Sequence, residues 1–289
     1  MDRLRDALSF RRFAALTTAL TLSLVMLGVY TAATASCLAC SAQWPLCDNG
    51  LLPQTIPSFI EWFHRLVAMI TGFFILGTAA WAWRDGDRRT RLAATLAVVL
   101  LPLQVSIGAV TVTLNGVLPN GYSPPAQGAH FVVALTIFTS LVATTLFASP
   151  GRLSGGALDR TRQALPVAFA VLLASAVFGR FLPILDYTPT AQAAFYGTAL
   201  LTYALLVAAT VWLGRAGRAR FRPLTVGALG ALVVAMLLGR DLVYYTATVR
   251  LVNVAAVVVA LGLVAASAYA LRSDDARSDR RSDPSVTGD

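Results

Sequence analysis

The feature that most constrains this chain is where its charges are missing. Uncharged stretches run over residues 13–47, 66–83, 92–151, 163–179, 187–214, 223–239 and 251–271. A helix that crosses a bilayer needs roughly 17–25 apolar residues. Lipid also demands that every backbone polar group be paired within the segment. The composition agrees, since 57% of residues are hydrophobic and only 13% are charged. That leaves too little polar surface for a water-soluble or a disordered chain. The segment from Asn115 to Pro125, rich in turn formers, interrupts the longest stretch. The pattern therefore predicts an all-α integral membrane protein. Its eight transmembrane helices are expected at about 13–33, 60–83, 92–114, 127–148, 164–182, 192–213, 223–239 and 248–271.

The net charge of +9 comes from 23 arginines, with no lysine. In a membrane protein this excess is a topology signal and not a nucleic-acid signal. Nineteen arginines fall in the N-terminal tail, in the loops after the second, fourth and sixth helices, and in the C-terminal tail. Arg65, Arg180, Arg240 and Arg250 fall on or near the other side. The bias predicts that both termini are cytoplasmic, with the chain in the cell membrane and the first long loop on its outer face. The first helix exceeds the apolar core of a cleaved signal, so it reads as retained. The Gly-, Ser- and Arg-rich segment 151–163 reads as a cytoplasmic linker between residues 1–150 and 164–272, two pseudo-repeated four-helix bundles. Residues 273–289, rich in Ser, Asp and Arg, read as a disordered tail.

Within this frame the soft ligands are few. Cys37, Cys40 and Cys47 all lie in the first outer loop, where disulfides persist. Cys40 and Cys47 enclose a segment with a turn-favouring Pro45, so their spacing suits a disulfide. A Cys37–Cys40 pair and a zinc site are the rivals, although four zinc ligands are not visible in the loop. A structural staple and a redox role both fit. The only histidines are His64 and His130. Each is expected near the outer start of its helix, at matched depth. Two neutral imidazoles facing each other across a bundle are natural axial ligands for haem iron; the alternative is two hydrogen-bonded packing residues.

Glu61 stands three residues before His64, on the same helix face, and Arg65 stands four after Glu61. Ionisable groups within a span are costly and tend to mark function. The pair reads either as an interfacial ion pair or as machinery beside a haem edge. In the second reading Arg65 approaches a propionate, and Glu61 relays protons or stabilises a developing cation. Gln104 in the third helix reads as a bond to a polar haem group or as a bond across helices. Gly28, Gly72 and Gly108 allow close packing or make room for a flat ligand. Trp81 and Trp83 fit an interfacial belt.

Three segments then act together. Cys40-Ser41-Ala42-Gln43-Trp44-Pro45-Leu46-Cys47, Ile60-Glu61-Trp62-Phe63-His64-Arg65 and Ala129-His130-Phe131 resemble the haem A synthase family in order, spacing and helix position. The resemblance covers residues 1–150 by motif, and the remainder only by helix count. It implies an integral membrane oxidoreductase that oxidises the C8 methyl of haem O to the formyl of haem A for haem–copper terminal oxidases. By motif match it implies haem O and haem A at the N-terminal unit, with iron ligated by His64 and His130. It implies a catalytic Glu61 and a disulfide between Cys40 and Cys47. Arg65 and Gln104 join the cofactor-binding set by position.

The sequence also departs from the family. Eight-helix members carry a second histidine pair that holds haem b, whereas no histidine follows His130 here. The nearest counterparts are Ala193 and Asn253, and alanine cannot ligate iron. Tyr187, Tyr196, Tyr203, Tyr244 and Tyr245 are the other candidate ligands in that half. Electrons would then pass to or from an external partner, another subunit or the substrate haem itself. The competing readings are a non-catalytic haem-binding or oxidase-assembly protein, a haem b electron-transfer protein and, more distantly, a transporter. The expected partners are the lipid bilayer, haem O, an electron donor, haem O synthase and terminal oxidase assembly. A homo-oligomer is open, with no interface specified by the sequence.

Overall fold

The computed structural model describes residues 9–40, 43, 46–113, 123–148, 156–182, 184–239 and 242–282, with backbone alone for 113 and 275–282. Arg3, Arg5, Trp44, Pro45, Arg152, Arg240, residues 115–122 and 151–155 and the tail beyond 282 lie outside the described residues. Eight long helices stand among those described. They are α1 (Phe10–Ala33), α2 (Ile56–Asp85), α3 (Arg88–Thr113), α4 (Pro124–Phe147), α5 (Ala157–Val177), α6 (Pro189–Arg215), α7 (Arg222–Gly239) and α8 (Ala247–Ser282). All except α5 are long and apolar enough to cross a membrane. The protein is an all-α, multi-pass membrane protein.

The helix starts lie upstream of the apolar runs for a local reason. Thr55, Ser123 and Thr188 cap α2, α4 and α6, each side chain accepting from the backbone N–H three residues on. Proline occupies the first turn of each, where a missing N–H costs nothing. The helices therefore begin at 56, 124 and 189 and not at the predicted 60, 127 and 192. The correction is larger for α5. It starts at Ala157 and stops at Val177, so Asp159, Arg160 and Arg162 form its first turns and not a loop. At the other end, α8 continues to Ser282, so residues 273–282 are helical where the sequence suggested disorder. Asp274 anchors this extension by accepting from Arg218 and Arg220.

Helices α1 to α4 close one ring of contacts and α5 to α8 close another, joined by α6 against α1 and α4. Antiparallel packing shows in the first ring. Phe13 near the start of α1 meets Trp81 near the end of α2 at 5.6 Å, while Gly28 near the end of α1 meets His64 near the start of α2. Buried hydroxyls tie the helices together: Thr17 to Thr78 at 2.8 Å and Thr139 to Tyr203 at 3.0 Å. In lipid such bonds contribute on the order of 0.6 kcal/mol each.

The second ring has a large buried apolar core. Leu165, Leu172, Leu200, Leu206, Leu232 and Tyr196 are fully buried within it. The Tyr196 ring stands edge-on to Phe131 and Phe195, with centroids at 5.5 and 5.3 Å. The tyrosine ligand candidates have other duties here. Tyr196 donates to the Met236 carbonyl, and Tyr187 to the Gly239 carbonyl. Tyr203 bonds Thr139, and Tyr244 is 94% exposed. Asn253, which the sequence offers as a candidate counterpart of His130, is fully buried and donates to the Tyr245 hydroxyl at 3.3 Å.

Candidate functional site

The first ring is hollow at one end. A cavity of about 390 Å³ lies there, and its wall includes His64, His130, Glu61, Arg65, Gln104 and Cys37. The five candidates of the first half, Glu61, His64, Arg65, Gln104 and His130, thus reach one space. His64 stands eight residues into α2, and His130 six residues into α4, so both are more than a turn deep.

Both imidazoles rest on glycine. A β-carbon at Gly28 would lie 3.0 Å from His64 Cε1, and one at Gly108 would lie 3.1 Å from His130 Cε1. Real β-carbons rarely come so close, so a larger residue at either position displaces a ring. The two glycines therefore serve one purpose each: α1 makes room for the histidine of α2, and α3 for that of α4. Gly72 instead faces Leu101, at 3.8 Å, which is ordinary packing. His64 Nδ1 is buried with no hydrogen-bond partner. The Gln104 amide nitrogen lies 3.1 Å from His130 Nε2, and Gln104 Oε1 is buried without a partner. Two imidazoles on one cavity wall, one with a ring nitrogen that meets no protein partner, suit a metal-bearing ligand between them. Among the described residues no three His, Cys, Asp or Glu side chains gather to hold a bare metal ion. The donor set fits a planar macrocycle that brings its own four nitrogens.

Next to the cavity sits the cysteine loop. Cys40 and Cys47 form the disulfide, with Cα atoms 4.8 Å apart, and Cys37 stays outside it. Cys47 and Gly50 exchange backbone bonds at 3.4 and 3.1 Å around Asp48 and Asn49, both at positive φ. Asp and Asn tolerate that conformation, which a tight reversal of this hand requires. Both disulfide sulfurs lie against the Ser58 carbonyl, at 4.0 and 3.9 Å. Asp48 accepts from the Ser58 hydroxyl at 3.1 Å and from the Gln54 N–H at 2.7 Å.

Glu61 joins loop and cavity. It is 2% exposed, and one carboxylate oxygen accepts the Cys40 N–H at 2.8 Å. The other accepts from Arg65. Arg65 also donates to the Gln43 carbonyl at 2.7 Å and towards that of Leu46 at 3.4 Å. So the ion pair of the bland reading exists, and its further bonds run to the loop. The bond across helices read as one of the two roles of Gln104 is present, to His130. Arg65 holds Glu61 and the loop, and Gln104 holds His130. Nothing in the sequence marks this anchoring, because its partners are the Cys40 N–H and the Gln43 carbonyl, backbone groups that every residue carries.

The fold and the cavity define a class: an all-helical membrane protein with one imidazole from each of two helices on the wall of a single apolar cavity. The family model of the cytochrome oxidase assembly proteins matches residues 11–186, which include the whole cavity wall. This chain belongs to that family, the family of the haem A synthases, whose work is haem A biosynthesis and oxidase assembly. It is similar to a haem A synthase of Bacillus licheniformis, 34% identical over 134 residues, 45% of this chain and 42% of that one. A haem A synthase of Halalkalibacterium halodurans is 32% identical over 149 residues, 50% of this chain and 48% of that one. A protohaem IX farnesyltransferase of Halobacterium salinarum is 40% identical over 136 residues, 45% of this chain but 29% of that one. The chain spans less than half the length of these curated relatives.

Proposed function

We propose that this protein is a haem A synthase, oxidising the C8 methyl of haem O to a formyl group in the first helical ring. The observation that carries the reading is the convergence of His64, His130 and Glu61 on one cavity, with a glycine behind each imidazole. In this reading the two histidines hold the substrate iron from opposite faces. Glu61 sets a carboxylate beside the macrocycle, where it stabilises positive charge or accepts a proton. Converting methyl to formyl adds one oxygen atom and removes two hydrogens, so four electrons leave the carbon. The second ring, with its buried tyrosines bonded to carbonyls, supports an electron partner outside this chain. Residues 1–150 are the substrate unit, and 164–272 a related unit that has become scaffold.

The arginine bias supports cytoplasmic termini in the cell membrane, with α5 as the eighth crossing. The disulfide supports an outer-face cysteine loop. Likeness to a chain named as a protohaem IX farnesyltransferase supports a neighbouring prenyl-transfer step as the source of substrate.

The test is haem extraction and mass identification after co-expression with a haem O supply. Haem A, or its hydroxylated precursor, is expected only with the intact chain. Unaltered haem O on a folded protein with competent redox partners would overturn the enzyme reading in favour of a non-catalytic assembly protein. The cradles give a second expectation. Gly28→Leu and Gly108→Leu should each lower haem affinity by about 10- to 100-fold, the effect of disturbing groups that orient a ligand. Titration followed by the visible spectrum checks it, and unchanged affinity would mean the imidazoles do not ligate from these positions.

A further inference from the structure

The cavity is open at the side. Cys37 stands at one end, where Glu61 and Arg65 of the wall bond the backbone of Cys40 and Gln43. At the opposite end α2 and α3 are joined by the short Gly86–Asp87 link and packed tightly. Ala79 and Ala82 of α2 share a small core with Ala94 of α3, and Trp83 donates to Thr95 at 2.9 Å. Leu101 lies over Gly72, and with Ile75 makes the cavity floor. Between floor and loop the facing wall residues are small: Ala68 on α2, Gly108 and Ala109 on α3. Two wall residues there also face outward. Met69 is 55% exposed and Val105 is 53% exposed. The cavity that holds both histidines therefore meets the outer surface of the span between α2 and α3.

We infer that this opening is a side portal, through which the isoprenoid chain of the substrate leaves the cavity and lies in the bilayer. The inference rests on the reading of the cavity as a haem O site. The chemistry of the rim selects the occupant. Met69 and Val105 are apolar, while the charged wall residues, Glu61 and Arg65, sit at the loop end. A prenylated haem has the matching polarity, with an apolar chain on one pyrrole ring and propionates on others. Met69 lies five residues beyond His64, roughly 7–8 Å along the helix, a distance comparable to the radius of the macrocycle. Val105 follows Gln104, which contacts the His130 ring. The portal also gives orientation: with the chain held between Met69 and Val105, the propionate edge turns to the loop end. The rim is thus a specificity element that separates prenylated haem from protohaem.

The test uses the full chain in phosphatidylcholine nanodiscs, titrated with haem O and separately with protohaem. Met69→Trp and Val105→Trp narrow the portal from the lipid side. Leu103→Trp is the control, because Leu103 is 46% exposed on the same helix yet lines no part of the cavity. The rim variants are expected to weaken haem O by about tenfold while protohaem affinity and the control hold, a difference well resolved by titration. Equal weakening of both haems, or of neither, overturns the portal. Failure of the wild-type protein to bind either haem overturns the haem-site reading itself. A haem whose isoprenoid chain ends in a diazirine reads the wild-type protein directly. Labelling is expected on α2 near Met69 and α3 near Val105, and labelling confined to α1 or α4 overturns the proposal.

Discussion

His64→Ala and His130→Ala are each expected to purify without haem, and the wild-type protein is expected to carry it with a bis-imidazole spectrum. The reason is geometric. Each histidine comes from a different helix, each has its own glycine cradle, and the chain contains no third histidine to substitute. Loss of a group that merely orients a metal ligand costs about 10- to 100-fold in affinity, so loss of the ligand itself should exceed that. Pyridine haemochrome content per polypeptide, with the visible spectrum, is the measurement. Tyr196→Phe is the matched control in the second ring. Its hydroxyl serves the Met236 carbonyl, so haem content should not change, although stability should fall by about 1 kcal/mol for the lost bond. If either alanine variant keeps a six-coordinate, low-spin haem, the iron is held elsewhere and the first ring is not the substrate site.

Much of this architecture was legible because lipid removes choices. A chain with charge-free runs of 17 or more residues has few ways to pair its backbone, so the helices at 13–33, 60–83 and 192–213 could be read directly. What misled was charge at helix ends. Asp159, Arg160 and Arg162 look like loop, yet α5 begins before them, since a helix does not have to start where its apolar stretch starts. The same holds for α8, whose polar extension is tied down by Asp274 meeting Arg218 and Arg220, a long-range contact without local signature.

The site divides along similar lines. His64 and His130 stood out by scarcity. Gly28 and Gly108 suit either close packing or ligand space in the sequence, and only the imidazole against each shows what the missing side chain makes room for. The spacing of Glu61 and Arg65 made their ion pair legible, but not the loop they hold. That loop bond depends on where Cys40 and Gln43 present their backbone, which the turn at Asp48-Asn49 and the disulfide determine together.

This double attachment makes Glu61 the most informative residue to change. Glu61→Ala is expected to retain haem and lose conversion, and also to loosen the cysteine loop. Removing the carboxylate strips Arg65 of its partner, and Arg65 is itself only 15% exposed in its side chain. Breaking a buried pair by deleting one member typically costs about 3–5 kcal/mol. The carbonyls of Gln43 and Leu46 still accept from Arg65, so the lower end is expected here. Glu61→Gln separates the two roles. Glutamine can still accept the Cys40 N–H, so the loop keeps that bond, but it brings neither charge nor a proton acceptor to the cavity. Haem content, conversion per bound haem and thermal stability should be read on both variants. If Glu61 only anchors the loop, conversion per bound haem should survive in Glu61→Gln and fall in Glu61→Ala together with stability. If the carboxylate acts on the substrate, both variants should lose conversion by the 10²- to 10⁴-fold that positioned acid–base groups typically contribute, while Glu61→Gln keeps its fold. Cys40→Ser with Cys47→Ser completes the comparison, because it frees the loop without touching the carboxylate. Retained conversion there, beside lost conversion in Glu61→Gln, would assign the chemistry to Glu61 and leave the disulfide the role of a loop fastener.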